Sequence, residues 1–311
     1  MPLHPQAQAL VDRIAALPRP ALSELTVQAA RDGLGTLLAA PPSAVGAIRD
    51  VTIRGGAGQP LKLRAWMPIA EATAPRPLLL FIHGGGWIGG DLDSHDPLCR
   101  DLANASDCVV VAVDYRLAPE HKFPAGLRDC EAALEWVAAQ ASTLGARADR
   151  LAIGGDSAGG NLAAALAIRA RDRGGPAIAF QLLVYPVTDH AFDTPSYIEL
   201  SEGYLLTRAG MQWNWNHYLP DAATGADPMA SPLRESDLSR LPPTLLITAE
   251  FDPLRDEGEA YAARLKEAGV AVECARYPGM IHAFFSLGHL IDAGREAVLH
   301  AGAALRRALS P

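Results

Sequence analysis

The stretch RLAIGGDSAGGNLAAALAIRA, Arg150 to Ala170, changes character abruptly. An apolar run of strand length gives way to glycine pairs on either side of one serine, and then to an alanine-rich run at helical spacing. Gly155-Asp156-Ser157-Ala158-Gly159 fits the pattern G-x-S-x-G. Glycines flanking the serine at a distance of two let the chain reverse without Cβ clashes, so the serine can be held strained with its Oγ exposed. The helix that follows aims its free N–H groups and positive dipole end at that hydroxyl. Such a serine is either a turn residue or a nucleophile, and the rest of the chain has to decide.

The surrounding sequence alternates strand and helix. Strand-like segments fall at Asp50–Arg54, Leu61–Met67, Pro77–Ile82, Cys108–Tyr115, Arg150–Gly154, Ala179–Tyr185, Thr244–Glu250 and Ala271–Tyr277. The first two alternate apolar and polar residues, as a half-exposed antiparallel edge does. The next several are continuously apolar, as strands covered on both faces are. Helical stripes lie between the later strands: Leu127, Cys130, Leu134 and Val137; Leu162 to Arg171; Leu254–Ala268, stopped by Gly269; and Asp292 to Leu309. The pattern predicts an α/β fold with a mostly parallel eight-stranded sheet and helices on both faces.

Two regions stand outside this alternation. Residues 1–45 read as helices ahead of the first strand, an N-terminal cap segment. Residues 46–311 then form the main domain, with an insert at about 190–241 that carries Tyr204, Leu205, Leu206, Met211, Trp213, Trp215 and Tyr218. A connection of that length has its own structure or a function. It is expected to be a helical cap over one end of the sheet, an extra helix packed on the side being the alternative.

Composition narrows the function. The 311 residues carry a formal net charge of −8 and show no block of Lys and Arg, which excludes nucleic acid as a partner. The longest apolar runs, near Leu78–Ile82 and Cys108–Val113, fall far short of the roughly 20 residues that span a bilayer. The N-terminus lacks the basic start and apolar run of a signal peptide. Cys99, Cys108, Cys130 and Cys274 form no C-x-x-C pair and read as buried free thiols, with no metal site. A cytoplasmic protein is expected.

A nucleophilic serine needs donors for an oxyanion. The strand Pro77–Ile82 ends in His83-Gly84-Gly85-Gly86-Trp87, where consecutive glycines let backbone N–H groups face a reacting carbonyl. Gly85, Gly86 and Ala158 are the candidate donors, each worth about 3 kcal/mol in a transition state. These residues, with Tyr115-Arg116-Leu117-Ala118-Pro119-Glu120, Gly154–Gly160 and Asp252-Pro253-Leu254-Arg255-Asp256-Glu257-Gly258, resemble the hormone-sensitive lipase family of bacterial esterases (bacterial family IV) in the α/β-hydrolase superfamily. The likeness runs from about the third strand to His282. It implies an α/β-hydrolase fold, hydrolysis of short- to medium-chain acyl esters without a cofactor, and a homodimer through an exposed sheet edge.

On this fold the triad runs Ser, then Asp or Glu, then His. Among His190, His217, His282, His289 and His300, only His282 falls just past a predicted strand of the main sheet, where such sites form. The family commonly has glycine after this histidine; here Ala283 takes its place. Asp252 directly follows the strand Thr244–Glu250 and is the expected acid, with Asp189 as its rival. His83 and Gly84 are expected to support the oxyanion loop, and Asp156 to orient the elbow or a cap residue. Trp87, Leu205 and Trp213 are candidates for the pocket wall, with packing as the alternative for the aromatics. The reading is a serine carboxylesterase acting through Ser157, His282 and Asp252. A small-molecule receptor on a hydrolase fold, or an amidase, is the alternative.

Overall fold

In the computed structural model, which describes residues 2–17 and 21–310, the predicted strands all form and join one sheet. They are β1 (Ala47–Arg54), β2 (Pro60–Met67), β3 (Arg76–Ile82), β4 (Val109–Val113), β5 (Ala146–Asp156), β6 (Phe180–Val184), β7 (Thr244–Phe251) and β8 (Val272–Ile281). Their order is β1-β2-β4-β3-β5-β6-β7-β8. β1 pairs with β2, and β2 with β4, antiparallel; every other pair is parallel. The alternating strands are thus the antiparallel edge, and the continuously apolar ones occupy the covered centre.

The helices are α1 (Pro5–Ala15), α2 (Val27–Leu38), α3 (Asp96–Ser106), α4 (Ala125–Gln140), α5 (Ala158–Arg173), α6 (Pro195–Glu199), α7 (Arg208–Tyr218), α8 (Arg255–Glu267) and α9 (Asp292–Leu309). The twofold alternation of β3 sorts them. Leu78, Leu80 and Ile82 pack in one layer with Leu127 and Leu134 of α4, Leu162 of α5 and Tyr261 of α8. Leu79 and Phe81 point the other way, into a layer with Leu102 of α3 and Leu305 of α9.

The structure adds to the sequence reading in two places. α3 lies where no helix was predicted. It opens with Asp96 and Pro97, buries Leu98, Leu102 and Ala105, and ends at Asp107 in the left-handed conformation. β8 continues past Tyr277, through Pro278-Gly279, to pair Ile281 with Phe251 after a break in register. The Gly279 N–H, displaced by that break, donates to Glu250 Oε2 at 2.7 Å. His282 therefore leaves the strand directly instead of sitting in a loop beyond it.

Ahead of β1, α2 is capped by Thr26, whose Oγ1 accepts from the Ala29 N–H at 3.1 Å. Its Arg31 donates to Ile88 O at 2.7 Å and grips both carboxylate oxygens of Glu120 at 2.9 and 2.7 Å. Tyr115–Glu120 serves as an anchoring turn: Arg116 pairs with the fully buried Asp129, and Tyr115 Oη donates to His83 O at 3.0 Å. Between β6 and β7 lie α6, α7 and short 3-10 turns. All four cysteines are free, and no helix among the described residues is long and apolar enough to cross a membrane.

Candidate active site

Ser157 occupies the turn between β5 and α5 with φ 55 and ψ −119, a conformation costly for a residue with a side chain. Main-chain bonds hold it there. Its N–H donates to Val184 O at 2.9 Å, and its carbonyl accepts from the N–H groups of Asn161 at 3.0 Å and Val187 at 3.3 Å. Gly159 has to be glycine, because a Cβ there would run into the carbonyls of Ile82 and His83.

Asp252 follows β7 and His282 follows β8. Their strand ends bring them together with Ser157: His282 Nε2 lies 2.9 Å from Ser157 Oγ, and His282 Nδ1 lies 2.7 Å from Asp252 Oδ2. The other Asp252 oxygen accepts the Leu254 N–H at 2.9 Å. Asp252 is 0 %, His282 7 % and Ser157 9 % exposed, so the relay is shielded from water except at its reacting end. Ala283 has φ 70, a left-handed conformation that glycine adopts with least strain, which accounts for the family's glycine at this position.

The other acid and base candidates fall away. Asp189 pairs with Arg234 at 2.5 Å. His190 packs on Trp215, His217 on Trp213, and His300 joins Glu273 and Tyr277; His289 is exposed.

The glycine loop after β3 turns over the serine with φ 116 at Gly85 and φ 62 at Gly86. Among the described residues, no acceptor takes the Gly85 or Gly86 N–H. The Ala158 N–H opens α5 and is left free by the helix geometry. Asp156 clamps this loop, its Oδ1 accepting the Gly84 N–H at 2.9 Å. Burial pushes the Asp156 carboxyl up, but His95, the Gly84 N–H and His83 outweigh it and hold it below the ordinary value. Burial, aided by neighbouring His95, pushes the His83 imidazole down to about 4, so His83 is neutral and braces the loop through Nδ1, 2.9 Å from Gly84 O.

Two residues at the site, Tyr185 and His95, carry no motif in the sequence, and the Asp252–Gly258 motif does not reveal the buried place of a third, Glu257. Tyr185, with φ 34, sets its ring against the His282 imidazole at 4.6 Å. His95 Nε2 stands 3.5 Å from Asp156. Glu257, buried behind Asp252, accepts the Thr188 N–H at 2.7 Å; burial drives its carboxyl well above the ordinary range despite that bond. All three are placed by tertiary packing, which a single sequence does not reveal.

A cavity of about 210 Å³ opens over Ser157 and His282. One wall is α2, with Leu34, Leu37 and Leu38; the other comes from the segment between β6 and β7, with Leu205, Leu206 and Met211. Leu205 is thus at the cavity as expected, but Trp87 and Trp213 are not. Trp87, with φ 61, turns its side chain into the core, where it stacks on Tyr218 at 4.2 Å and donates to Asn161 Oδ1. Trp213 packs on His217 at 4.1 Å and on the core. Among the described residues, no cluster of His, Cys, Asp or Glu is arranged to hold a metal ion.

A family model described as the alpha/beta hydrolase fold matches residues 79–286, more than half of the chain, and the chain belongs to that family. Within it the chain lies in the hormone-sensitive-lipase-like branch. Carboxylesterase NlhH of Mycobacterium tuberculosis is 43 % identical over 247 residues, covering 78 % of this chain and 77 % of that protein. An ethyl acetate hydrolase of Pseudomonas putida is 40 % identical over 264 residues, covering 84 % and 83 %. Among solved structures, a thermostable esterase from Pseudomonas putida superposes with a TM-score of 0.95 at 39 % identity, covering 100 % of this chain and 98 % of that one.

Proposed function

We propose that this chain is a serine carboxylesterase in which Ser157, His282 and Asp252 form the catalytic triad. The unbroken relay from Asp252 through His282 to a strained serine carries the reading. Relatives named as carboxylesterases and ester hydrolases support it. Ser157 Oγ attacks the ester carbonyl while His282 Nε2 takes its proton; Asp252 holds the Nδ1–H tautomer and stabilises the imidazolium. The N–H groups of Gly85, Gly86 and Ala158 receive the oxyanion. His282 then protonates the departing alcohol, and a water deprotonated by the same nitrogen hydrolyses the acyl-enzyme.

The size of the cavity and its leucine walls favour short to medium acyl chains, from about C4 to C8, over long ones. Helix α2 of the N-terminal segment and the segment at about 190–241 act together as the cap that closes it. The relatives' names, carboxylesterase and carboxylic ester hydrolase, favour the ester over the amidase reading, and a receptor would not need the relay. The test is hydrolysis of p-nitrophenyl esters from acetate to palmitate by the wild type and by Ser157→Ala. Activity peaking at butyrate or hexanoate and lost in the variant is expected. A peak at palmitate overturns the chain-length assignment, and equal activity in the two proteins overturns the triad.

A further inference from the structure

The outer walls of the cavity over Ser157 are mainly apolar, and α7 adds one polar side chain to them. Asn214 lines it, and its carboxamide lies across the oxyanion loop. A methyl group built on Gly86 would stand 2.5 Å from Asn214 Nδ2, 2.6 Å from its Cγ and 3.0 Å from its Oδ1. The amide plane therefore rests on the Gly86 Cα. The Gly86 N–H is one of the donors assigned above to the substrate oxyanion, so the amide reaches the atoms next to the scissile carbonyl.

This amide is nearly unused. Among the described residues, its one side-chain hydrogen bond is from Nδ2 to Met211 Sδ at 4.0 Å, and a thioether is a weak acceptor. The carbonyl oxygen and the second N–H remain free. The mounting is firm: Met211, Trp215 and Tyr218 bury the inner face of α7, and Thr207 caps it, its Oγ1 accepting the Gly210 N–H at 2.9 Å. A fixed polar group in an apolar cavity sets ligand orientation and selects ligands that satisfy it. Ligands lacking a partner leave it desolvated and unpaired, which is where strong discrimination arises.

We propose that Asn214 is a specificity-determining residue, selecting esters that carry a hydroxyl or other hydrogen-bonding group one or two atoms from the scissile carbonyl. The proposal rests on the esterase reading and names its substrate class. The amide supplies an acceptor and a donor to that group, beside the Gly86 N–H that holds the carbonyl oxygen. His95 and Ser286 also line the cavity, but only Asn214 stands directly against the Gly86 Cα.

The test compares kcat/KM for matched pairs, ethyl 3-hydroxybutyrate against ethyl butyrate and ethyl lactate against ethyl propionate. The proteins are the wild type, Asn214→Leu and Asn214→Ala, the alanine variant guarding against a misfit leucine. The hydroxy-to-parent ratio is expected to fall about tenfold from wild type to both variants, mainly through KM of the hydroxy ester. An unchanged ratio overturns the proposal. So does a parallel loss on both members of each pair, which would make Asn214 a further oxyanion donor or a structural residue. A wild type inactive on every ester, p-nitrophenyl butyrate included, rejects the esterase reading itself, whereas activity with an unmoved ratio rejects only the role of Asn214.

Discussion

Ser157, Asp252 and His282 each stand one residue beyond a strand, after β5, β7 and β8. Leu34, Leu205 and Asn214, which face them across the cavity, stand on α2 and on the segment between β6 and β7, outside the sheet. The first region is placed by main-chain hydrogen bonds: β6 supplies Val184 O to the Ser157 N–H, and the glycine loop is tied to Asp156. The second is placed by side-chain packing and by anchors such as Arg31 on Glu120. A backbone-built site admits few substitutions, whereas a wall of side chains can be recut. The same reacting centre can therefore serve different esters by changes in the wall alone.

The largest effects are expected at the strand ends. Ser157→Ala should lower kcat on p-nitrophenyl butyrate about a millionfold, and Asp252→Asn about ten-thousandfold through the wrong histidine tautomer. Both variants should keep the wild-type circular dichroism spectrum. Residual activity of a few per cent in either one would break the contrast between the two regions.

Glycines test the same contrast through stability. In Gly159→Ala the new methyl meets the backbone of β3, which cannot yield. A loss on the order of 3 kcal/mol is expected, about 5 °C in Tm. Gly203, in the wall segment, has φ 89 and nothing within 4 Å of a built Cβ. Gly203→Ala should cost only the left-handed penalty, about 1 kcal/mol. Equal losses in thermal melts would mean that the wall is as rigidly built as the elbow.

Titration should also probe the strand-end region, through two buried groups packed around it. His83 is fully buried, and its imidazole falls from 6.5 to about 4 on folding. The unfolded chain binds this proton first, so stability is complete above the unfolded value and is lost as pH falls toward the folded one. At 1.36 kcal/mol per unit the loss approaches about 3 kcal/mol. Glu257 has the opposite sign: its raised carboxyl stabilises the fold below its unfolded value, and that contribution is lost as pH rises through the folded one. Urea unfolding of His83→Gln between pH 7 and pH 4.5 should show a shallower decline than the wild type. Glu257→Gln should flatten the decline on the alkaline side. Wild-type slopes in both variants would remove these groups from the account.

What was legible in the sequence follows the same division. Every strand was found, because β3 to β7 each carry an apolar core stretch and β1 and β2 alternate. Ser157, Asp252 and His282 could be picked out because each needs a particular residue type next to a strand end. The insert was visible as a break in the alternation. α3 was hidden because it is short and its buried face mixes Leu98, Cys99 and Leu102 with the small residues Ala103, Ala105 and Ser106. The end of β8 was hidden because Pro278-Gly279 imitates a turn. Trp87 was left between pocket wall and packing because its positive φ, which sends the ring to Tyr218 and away from the cavity, is a property of the folded loop. Tyr185 and Asn214 are far in sequence from what they touch, and no local pattern marks such contacts.

The smallest effect is expected in the wall, where it concerns preference instead of rate. Met211 is 1 % exposed, lines the cavity and comes from α7, so truncating it enlarges the acyl space without touching the strand ends. Met211→Ala removes enough buried side chain to cost about 2–5 kcal/mol of stability. Its activity should therefore be measured well below its Tm. The octanoate-to-butyrate ratio of kcat/KM should rise about tenfold, the scale of a methylene or two in a hydrophobic pocket. Most of the change should come from better binding of octanoate, because Ser157 and the proposed oxyanion donors stay in place. A variant whose ratio is fixed while both rates fall would show that α7 holds the reacting groups in position, and the division between a rigid centre and an adjustable wall would fail at this helix.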